Sequence, residues 1–292
     1  MKDHIIRATA FGGKVRAFAA ITTGLVEELA RRHRTTPTAT AALGRTATAG
    51  AMMGAMLKGR EQLTIQVRGD GPIGQIVVDA NAEGHVRGYV DNPDTDLPLN
   101  AIGKLDVGGA VGQDGFLYVT KDLGLKEPYR GSSPIVSGEL AEDFTLYFTQ
   151  SEQTPSAVAL GVLVDVDYSI KAAGGFIIQL MPGHTEEEIA AVERGLSGLP
   201  QITTLLKEGK SLEAILRKVL GDGVRILEQS DVRFACKCSR ERVEQTLISL
   251  GAEELAAIIE EDGKAEVVCH FCNEAYVFEE SDLKGVMEKI KA

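Results

Sequence analysis

The chain contains four cysteines, grouped in two pairs near its C-terminus. Cys236 and Cys238 are separated by one residue, and Cys269 and Cys272 are separated by two. Residues i and i+2 of an extended segment point to the same side, and the longer spacing suits a tight turn. Four thiolates brought to one point complete the tetrahedral shell that zinc takes in closed structural sites. The spacing therefore predicts one zinc ion per chain, bound by all four cysteines.

The first pair has one residue fewer between its cysteines than an ordinary zinc ribbon, which has at least about two. A Cys-x-Cys pair can also close on itself as a local disulfide, so a redox-responsive site is an alternative to a purely structural one. Four basic residues surround this pair, and either site would use their charge to stabilise thiolates: Arg233, Lys237, Arg240 and Arg242. His270 lies inside the second pair, and we interpret it as a non-ligand because four cysteines already fill the shell.

Length and charge limit the classes of partner. A chain of 292 residues predicts about two domains, and its 44% hydrophobic content is enough for a sizeable core. The 42 acidic and 31 basic residues give a net charge of −11, which repels nucleic acid unless the basic groups are segregated. Acidic residues also outnumber basic ones in 231–292. We therefore predict no nucleic-acid partner.

The N-terminal residues and the lengths of the apolar runs predict where in the cell the protein is located. Met1-Lys2-Asp3-His4 leads into a strand-like pattern rather than into a basic region followed by an apolar run, so no secretory signal is predicted. No apolar stretch reaches the roughly 18 residues of a membrane span. We expect a cytoplasmic protein without membrane contact, in a compartment where cysteines are normally kept reduced.

Residues 1–182 predict an N-terminal domain of mixed sheet and helix. Strand-like runs recur along this segment, and a stretch of small residues opened by Pro37 and ending near Lys58 predicts a buried central helix. We expect a loop at Tyr129-Arg130-Gly131, followed by a helix over 139–150 that Ser137 caps. The fold class is therefore α+β.

Residues 183–230 read as entirely helical and predict a linker of short helices. Thr185 and Glu188 form a capping box, and the apolar stripes that follow are each only a few turns long. Helices shorter than about 12 to 15 residues are marginal alone in water, so we expect these to depend on what they pack against. We expect 231–292 to be a small C-terminal zinc-binding module that needs its metal to fold.

Motifs of common catalytic sites are missing from the sequence. There is no His-Glu-x-x-His, no Walker phosphate loop and no Gly-x-Ser-x-Gly elbow. A cysteine nucleophile needs a base, and His270 between two predicted zinc thiolates is a poor candidate. We therefore predict that the protein is not an enzyme.

Two further motifs lie in the N-terminal domain. They are Ser-Gly-Glu-Leu-Ala-Glu-Asp at 137–143 and Ser-Glu-Gln-Thr-Pro at 151–155. Together with the Cys-x-Cys and Cys-x-x-Cys pairs and the short-helix segment before them, the whole chain resembles the thirty-three-kilodalton heat-shock protein family. The resemblance implies a cytoplasmic holdase chaperone that binds unfolding proteins without ATP under oxidative and heat stress. Cys236, Cys238, Cys269 and Cys272 match the ligand and redox positions of that family.

The resemblance also implies how activity is controlled. The reduced, zinc-bound form would be inactive, and oxidation would form two disulfides and release zinc. We predict that the disulfides join Cys236 to Cys238 and Cys269 to Cys272. The N-terminal domain would serve for client binding and dimerisation, and a homodimer is expected in the active form.

Two other functions remain open at the level of sequence. A zinc-ribbon adaptor for nucleic acid or protein would use the same four cysteines, and salt-dependent binding to DNA or RNA would support it. A thiol-disulfide oxidoreductase would use Cys269-x-x-Cys272, and turnover in a disulfide-reduction assay would identify it.

Overall fold

The computed structural model describes residues 2–291. They form two compact units, with the boundary in the chain between Ala235 and Cys236. Strands and helices occur in both units, so the predicted α+β fold class is confirmed.

The strands of the larger unit are, in chain order, β1 (His4–Ala10), β2 (Val15–Ile21), β3 (Gln62–Arg68), β4 (Gln75–Asn81), β5 (His85–Val90), β6 (Phe116–Asp122), β7 (Tyr129–Pro134), β8 (Ser156–Val164), β9 (Ile170–Leu180), β10 (Arg225–Asp231) and β11 (Arg233–Phe234). Its helices are α1 (Thr23–His33), α2 (Pro37–Gly54), α3 (Val107–Val111), α4 (Ala141–Gln150), α5 (Glu186–Ser197), α6 (Ile202–Lys207) and α7 (Leu212–Leu220).

These strands form two sheets. The first sheet has five antiparallel strands in the order β10-β1-β2-β9-β8. The second has six strands in the order β11-β5-β4-β3-β6-β7, and β11 is parallel to β5 while the other pairs are antiparallel. The two strands that precede the cysteines therefore belong to different sheets.

Helix α2 packs against strands of both sheets, and nearly all of its side chains are buried. Its small residues permit this close approach. A Cβ added to Gly44 would lie 2.8 Å from the side chains of Val26 and Val162, and one added to Gly50 would lie 2.9 Å from Val78. The predicted buried central helix is confirmed.

Two local predictions in the N-terminal part are wrong. Residues 129–131 are not a loop, because they begin β7, which pairs with β6 at the edge of the second sheet. Ser137 does not cap the following helix, which begins at Ala141. The buried Asp143 carboxylate takes that role by accepting hydrogen bonds from the backbone N–H groups of Val136, Ser137 and Leu140, at 2.8, 3.1 and 2.9 Å.

The three short helices of the predicted linker are present, and the capping box is confirmed. The Thr185 hydroxyl accepts from Glu188 N at 3.4 Å, and Glu188 Oε2 accepts from Thr185 N at 2.7 Å. The expectation of helix throughout 183–230 is wrong at its end, because 225–231 pair with β1 as β10. β1 would otherwise be an unpaired edge with free backbone N–H and C=O groups.

Helices α5, α6 and α7 pack their apolar faces against the first sheet. Side chains of the helices, including Val192, Leu205, Ile215 and Leu216, share one buried cluster with side chains of β1, β2 and β9. Phe176 of β9 is the largest of these sheet residues and is fully buried. The larger unit itself therefore supplies a packing partner for the marginal helices.

The smaller unit contains α8 (Arg240–Leu250), α9 (Ala252–Glu261), β12 (Lys264–Val268), β13 (Ala275–Glu279) and α10 (Glu280–Lys291). β12 and β13 form an antiparallel hairpin. Its buried hydrophobic cluster is small and consists of Val243, Leu247, Leu255, Phe278, Leu283 and Val286. Over residues 2–291, no helix combines the length and the apolar character that a bilayer crossing requires.

Candidate metal centre

The four cysteines are held by two structural elements of the smaller unit. Cys236 and Cys238 lie in an irregular segment directly before α8, and Ser239 caps that helix by accepting a hydrogen bond from Arg242 N at 3.3 Å. Cys269 follows the end of β12, and Cys272 lies in the turn that leads into β13. A helix N-terminus and a hairpin turn thus carry one pair each.

The hairpin turn folds tightly around Cys269. The carbonyl of Cys269 accepts from Cys272 N at 3.3 Å and from Asn273 N at 2.7 Å, and Cys269 N donates to Glu274 O at 3.0 Å. Asn273 has a φ of 57°, a left-handed conformation that Asn tolerates better than most residues. This turn places the two thiols of the second pair on one side, as its spacing predicted.

The sulfur atoms converge on one point. All four Sγ atoms lie within 4.8 Å of one another, with 3.8 Å between Cys236 and Cys269 and 3.2 Å between Cys238 and Cys272. Zinc–sulfur bonds of about 2.3 Å in a tetrahedron require sulfur–sulfur distances of about 3.8 Å. The donor set therefore fits a tetrahedral metal ion. Among the described residues, no histidine nitrogen joins this group, so His270 lies outside it.

The environment of two of the thiols favours their neutral form when no cation is bound. Burial raises the pKa of Cys238, and burial followed by the hydrogen bond with Cys238 raises the pKa of Cys272. The Tyr276 hydroxyl donates to Cys238 Sγ at 3.2 Å, and this bond raises the pKa of Tyr276. A divalent cation at this point would displace the thiol protons and be stabilised by the thiolates it creates.

Two of the basic residues near the first pair, Arg240 and Arg242, bind the backbone and other side chains. Arg240 donates to Val277 O and to Asp282 Oδ2, both at 2.7 Å, and its guanidinium lies 4.2 Å from the ring centroid of Phe278. Arg242 donates to Lys237 O at 3.1 Å. These contacts join α8 to the hairpin and to α10, so Arg240 positions the segment that follows the first pair. Tyr276 was not predicted from the sequence, where its signal was a polar aromatic residue four positions after Cys272.

Comparison with known proteins identifies the family. The model of the family described as Hsp33 protein matches residues 3–279. A relative from Brevibacillus brevis named 33 kDa chaperonin is 57% identical over 289 residues, covering 99% of both chains. A protein of the same name from Geobacillus kaustophilus is 54% identical over 292 residues, covering 100% of this chain and 99% of its own.

A solved structure extends this result to the fold. The crystal structure of the 33 kDa chaperonin, a heat shock protein 33 homolog, from Thermotoga maritima superposes with a TM-score of 0.94 at 40% identity, and the match covers 100% of both chains. The resemblance to the thirty-three-kilodalton heat-shock proteins is therefore confirmed. The chain belongs to the Hsp33 protein family.

Proposed function

We propose that this protein is a redox-regulated, ATP-independent holdase chaperone, inactive while reduced and zinc-bound and activated by disulfide formation and zinc release. The observation that carries the proposal is the convergence of four Sγ atoms within 4.8 Å in a small unit of a chain whose relatives are named chaperonins. Client proteins that are unfolding would be its partners. The proposed role is binding rather than catalysis.

Zinc, one ion per chain, is the metal that this donor set suits best. Sulfur-only tetrahedral shells are typical of structural zinc, and Cys236, Cys238, Cys269 and Cys272 would hold the ion. Zinc would supply a cross-link between the segment before α8 and the turn between β12 and β13. It would close the 30-residue stretch that separates the two pairs.

The smaller unit needs such a cross-link. Its buried hydrophobic cluster comprises few side chains, and its strands form a single hairpin. A structural zinc ion supplies about 10 to 16 kcal/mol of apparent binding free energy, compared with about 5 to 15 kcal/mol for the whole stability of an ordinary domain. Loss of the ion should therefore unfold this unit.

Oxidation within each pair would remove the cross-link. In the zinc-bound form the four sulfurs would be thiolates, so peroxide would take two electrons from the thiolates of Cys236 and Cys238 as one S–S bond forms, and a second peroxide would do the same at Cys269 and Cys272. Each peroxide would take up two protons from the solvent and become two water molecules, and the zinc ion would leave as Zn²⁺. The resulting loops are tiny, so these disulfides leave the two halves of the unit unlinked.

The surface that this switch would expose lies in the larger unit. Helices α5 to α7 cover the apolar face of the first sheet, and each is too short to be stable alone. The strand β10 links these helices in the chain to the cysteine segment. Unfolding that spreads along the chain through β10 would release the helices and uncover both apolar faces for clients.

Three consecutive segments of the chain have different proposed roles. Residues 1–182 would bind clients and form the dimer, 183–230 would act as the releasable cover, and 231–292 would sense oxidation. Exposed apolar surface favours self-association, so a homodimer is proposed for the active form. A cytoplasmic location suits a site that must be reduced at rest. The proposal includes neither a nucleic-acid partner nor a membrane.

Peroxide treatment of the purified zinc protein tests this function. Zinc release should be accompanied by suppression of the aggregation of a thermally unfolding client, without ATP, and a reductant with added zinc should reverse both. Zinc release without any gain in suppression would contradict the proposal. Salt-dependent binding to RNA would instead indicate a zinc-ribbon adaptor, and turnover in disulfide reduction would indicate an oxidoreductase.

A further inference from the structure

A cleft of about 360 Å³ lies in the larger unit, at the C-terminal end of α2. Its walls come from β2, the end of α2 and the turn after it, β6, α4 with the residues that follow it, and β9. Two of its lining residues, Glu152 and Thr154, belong to the Ser-Glu-Gln-Thr-Pro motif at 151–155. That motif has no part in the cysteine site.

One side of the cleft is apolar. Met53 and Phe148 form its buried floor, and Met56 and Leu57 line it as half-buried side chains. Methionine side chains are flexible and polarizable, so they adapt to ligands of different shape. This wall suits an aliphatic or aryl group.

Arg16 also lines the cleft. Arg16 Nε donates to Gln179 Oε1 at 2.8 Å, and Gln179, only 1% exposed, is fixed by a bond of 3.1 Å from its Nε2 to Ser156 Oγ. Within residues 2–291, Arg16 forms no ion pair, and its two terminal nitrogens have no hydrogen-bond acceptor. Burial and the neighbouring Arg7 lower the pKa of Arg16, whereas the Glu152 carboxylate acts in the opposite direction.

Two carboxylates line the cleft, those of Glu61 and Glu152, and among the described residues neither forms a hydrogen bond or an ion pair with Arg16. Glu61 Oε2 accepts from the backbone N–H of Lys58 at 2.8 Å. Glu152 Oε1 accepts from Lys121 Nζ at 2.5 Å and from the Tyr147 hydroxyl at 2.6 Å. The Lys121 ammonium and the Glu152 carboxylate therefore balance each other. Among the described residues, Arg16 and Lys58 thus line the cleft as cations without an ion pair, and Arg16 is the one with planar donors.

We propose that this cleft binds a small carboxylate with an apolar body, the carboxylate on the Arg16 guanidinium and the body against Met56 and Leu57. A guanidinium binds a carboxylate through two parallel hydrogen bonds, which suits the free terminal nitrogens of Arg16. The volume is near the lower end of about 300 to 1,000 Å³ typical of ligand pockets, so the ligand is small. A free aliphatic acid and the C-terminal carboxylate of an apolar peptide share this chemistry.

Methyl NMR of the full-length, reduced zinc protein tests the site with octanoate. The ε-methyl signals of Met53 and Met56 should shift saturably, whereas that of Met287 in the smaller unit should not. Octylamine, which has the same body and the opposite charge, should cause no such shift. Absence of saturable shifts at millimolar octanoate, or equal shifts with octylamine, would overturn the proposal.

Substitution of Arg16 gives a matched test. Arg16→Gln should weaken octanoate binding about tenfold or more, since it removes two charge-assisted hydrogen bonds. Arg7→Gln is the control, because Arg7 lies on the adjacent strand and also flanks the Phe18 ring but does not line the cleft. Equal affinity in the two variants would overturn the role of Arg16. If Arg16→Gln failed to fold, the wild-type methyl shifts would still decide the proposal.

The source of the carboxylate is distinguished by competition. A short peptide ending in Leu-Leu with a free carboxylate should displace octanoate if chain termini are the ligand, while its amidated form should not. If neither peptide competes, the ligand is a free small acid. Displacement by the amidated peptide would contradict recognition of the carboxylate.

Discussion

The Tyr276 hydroxyl donates a hydrogen bond to Cys238 Sγ at 3.2 Å, which joins strand β13 to the first cysteine pair. A donor to a metal-bound thiolate withdraws negative charge from the sulfur and lowers its nucleophilicity. Tyr276 is thus a side chain outside the cysteines that can tune the reactivity of one sulfur.

Replacing Tyr276 by Phe should make the zinc site more sensitive to peroxide. Loss of a hydrogen bond worth about 0.5 to 1.5 kcal/mol should increase the rate of zinc release about two- to tenfold. Stopped-flow detection of released zinc measures this rate. Tyr168→Phe is the control, because Tyr168 is an exposed residue of the larger unit. Identical rates for Tyr276→Phe and wild type would show that this bond does not tune Cys238.

The reduced protein should contain one zinc ion per chain in a shell of four sulfur atoms. X-ray absorption should give a zinc–sulfur distance of about 2.3 Å, because the four Sγ atoms already approximate the required tetrahedron. His270→Ala should leave both the metal content and the shell unchanged. A nitrogen ligand in the wild-type spectrum would show that His270 completes the shell and that one cysteine does not.

Peroxide oxidation should join Cys236 to Cys238 and Cys269 to Cys272. The shortest Sγ distances of the reduced site run across the pairs, but all four atoms lie within 4.8 Å, so proximity does not select the pairing. The proposed switch requires disulfides within each pair, because a disulfide across the pairs would preserve the cross-link that zinc provides. Peptide mapping of the oxidised protein measures the pairing, and a majority of Cys236–Cys269 or Cys238–Cys272 bonds would contradict the proposed switch.

Cys269→Ser should weaken zinc binding and raise holdase activity under reducing conditions. The substitution removes one thiolate from the shell, so the smaller unit loses much of the binding free energy that folds it. Suppression of client aggregation by the reduced variant measures the effect. His270→Ala, altered at the next position of the same turn, should stay inactive until oxidised. If Cys269→Ser and wild type had equal holdase activity under reducing conditions, zinc binding would not control activity. That result would contradict the proposed switch.

Structural features that depend on residues close together in the sequence can be predicted from it. The buried helix opened by Pro37 and the capping box at Thr185 form as predicted. The convergence of the four cysteines follows from their spacing, because an extended pair and a turn pair each present two thiols to one side.

The predictions that were wrong depended on contacts between distant segments. Strand β10 forms because it pairs with the edge of β1, which lies more than 200 positions earlier in the chain. The hydrophobic periodicity within 225–231 does not reveal this partner. The capping role of Asp143 requires the chain at Val136 to fold back over the start of α4. The partner of the linker helices was left unnamed for the same reason, because it is a sheet face assembled from β1, β2 and β9.

Hydrogen exchange of the reduced and the peroxide-oxidised protein, measured on samples with known holdase activity, tests the switch most directly. Oxidation should remove protection first across residues 236–291 and next across α5 to α7, while α2 and the strands around it stay protected. The order follows from the small core of the cysteine unit and from the short helices that precede it. Oxidised protein that suppresses aggregation while both regions remain fully protected would contradict the account.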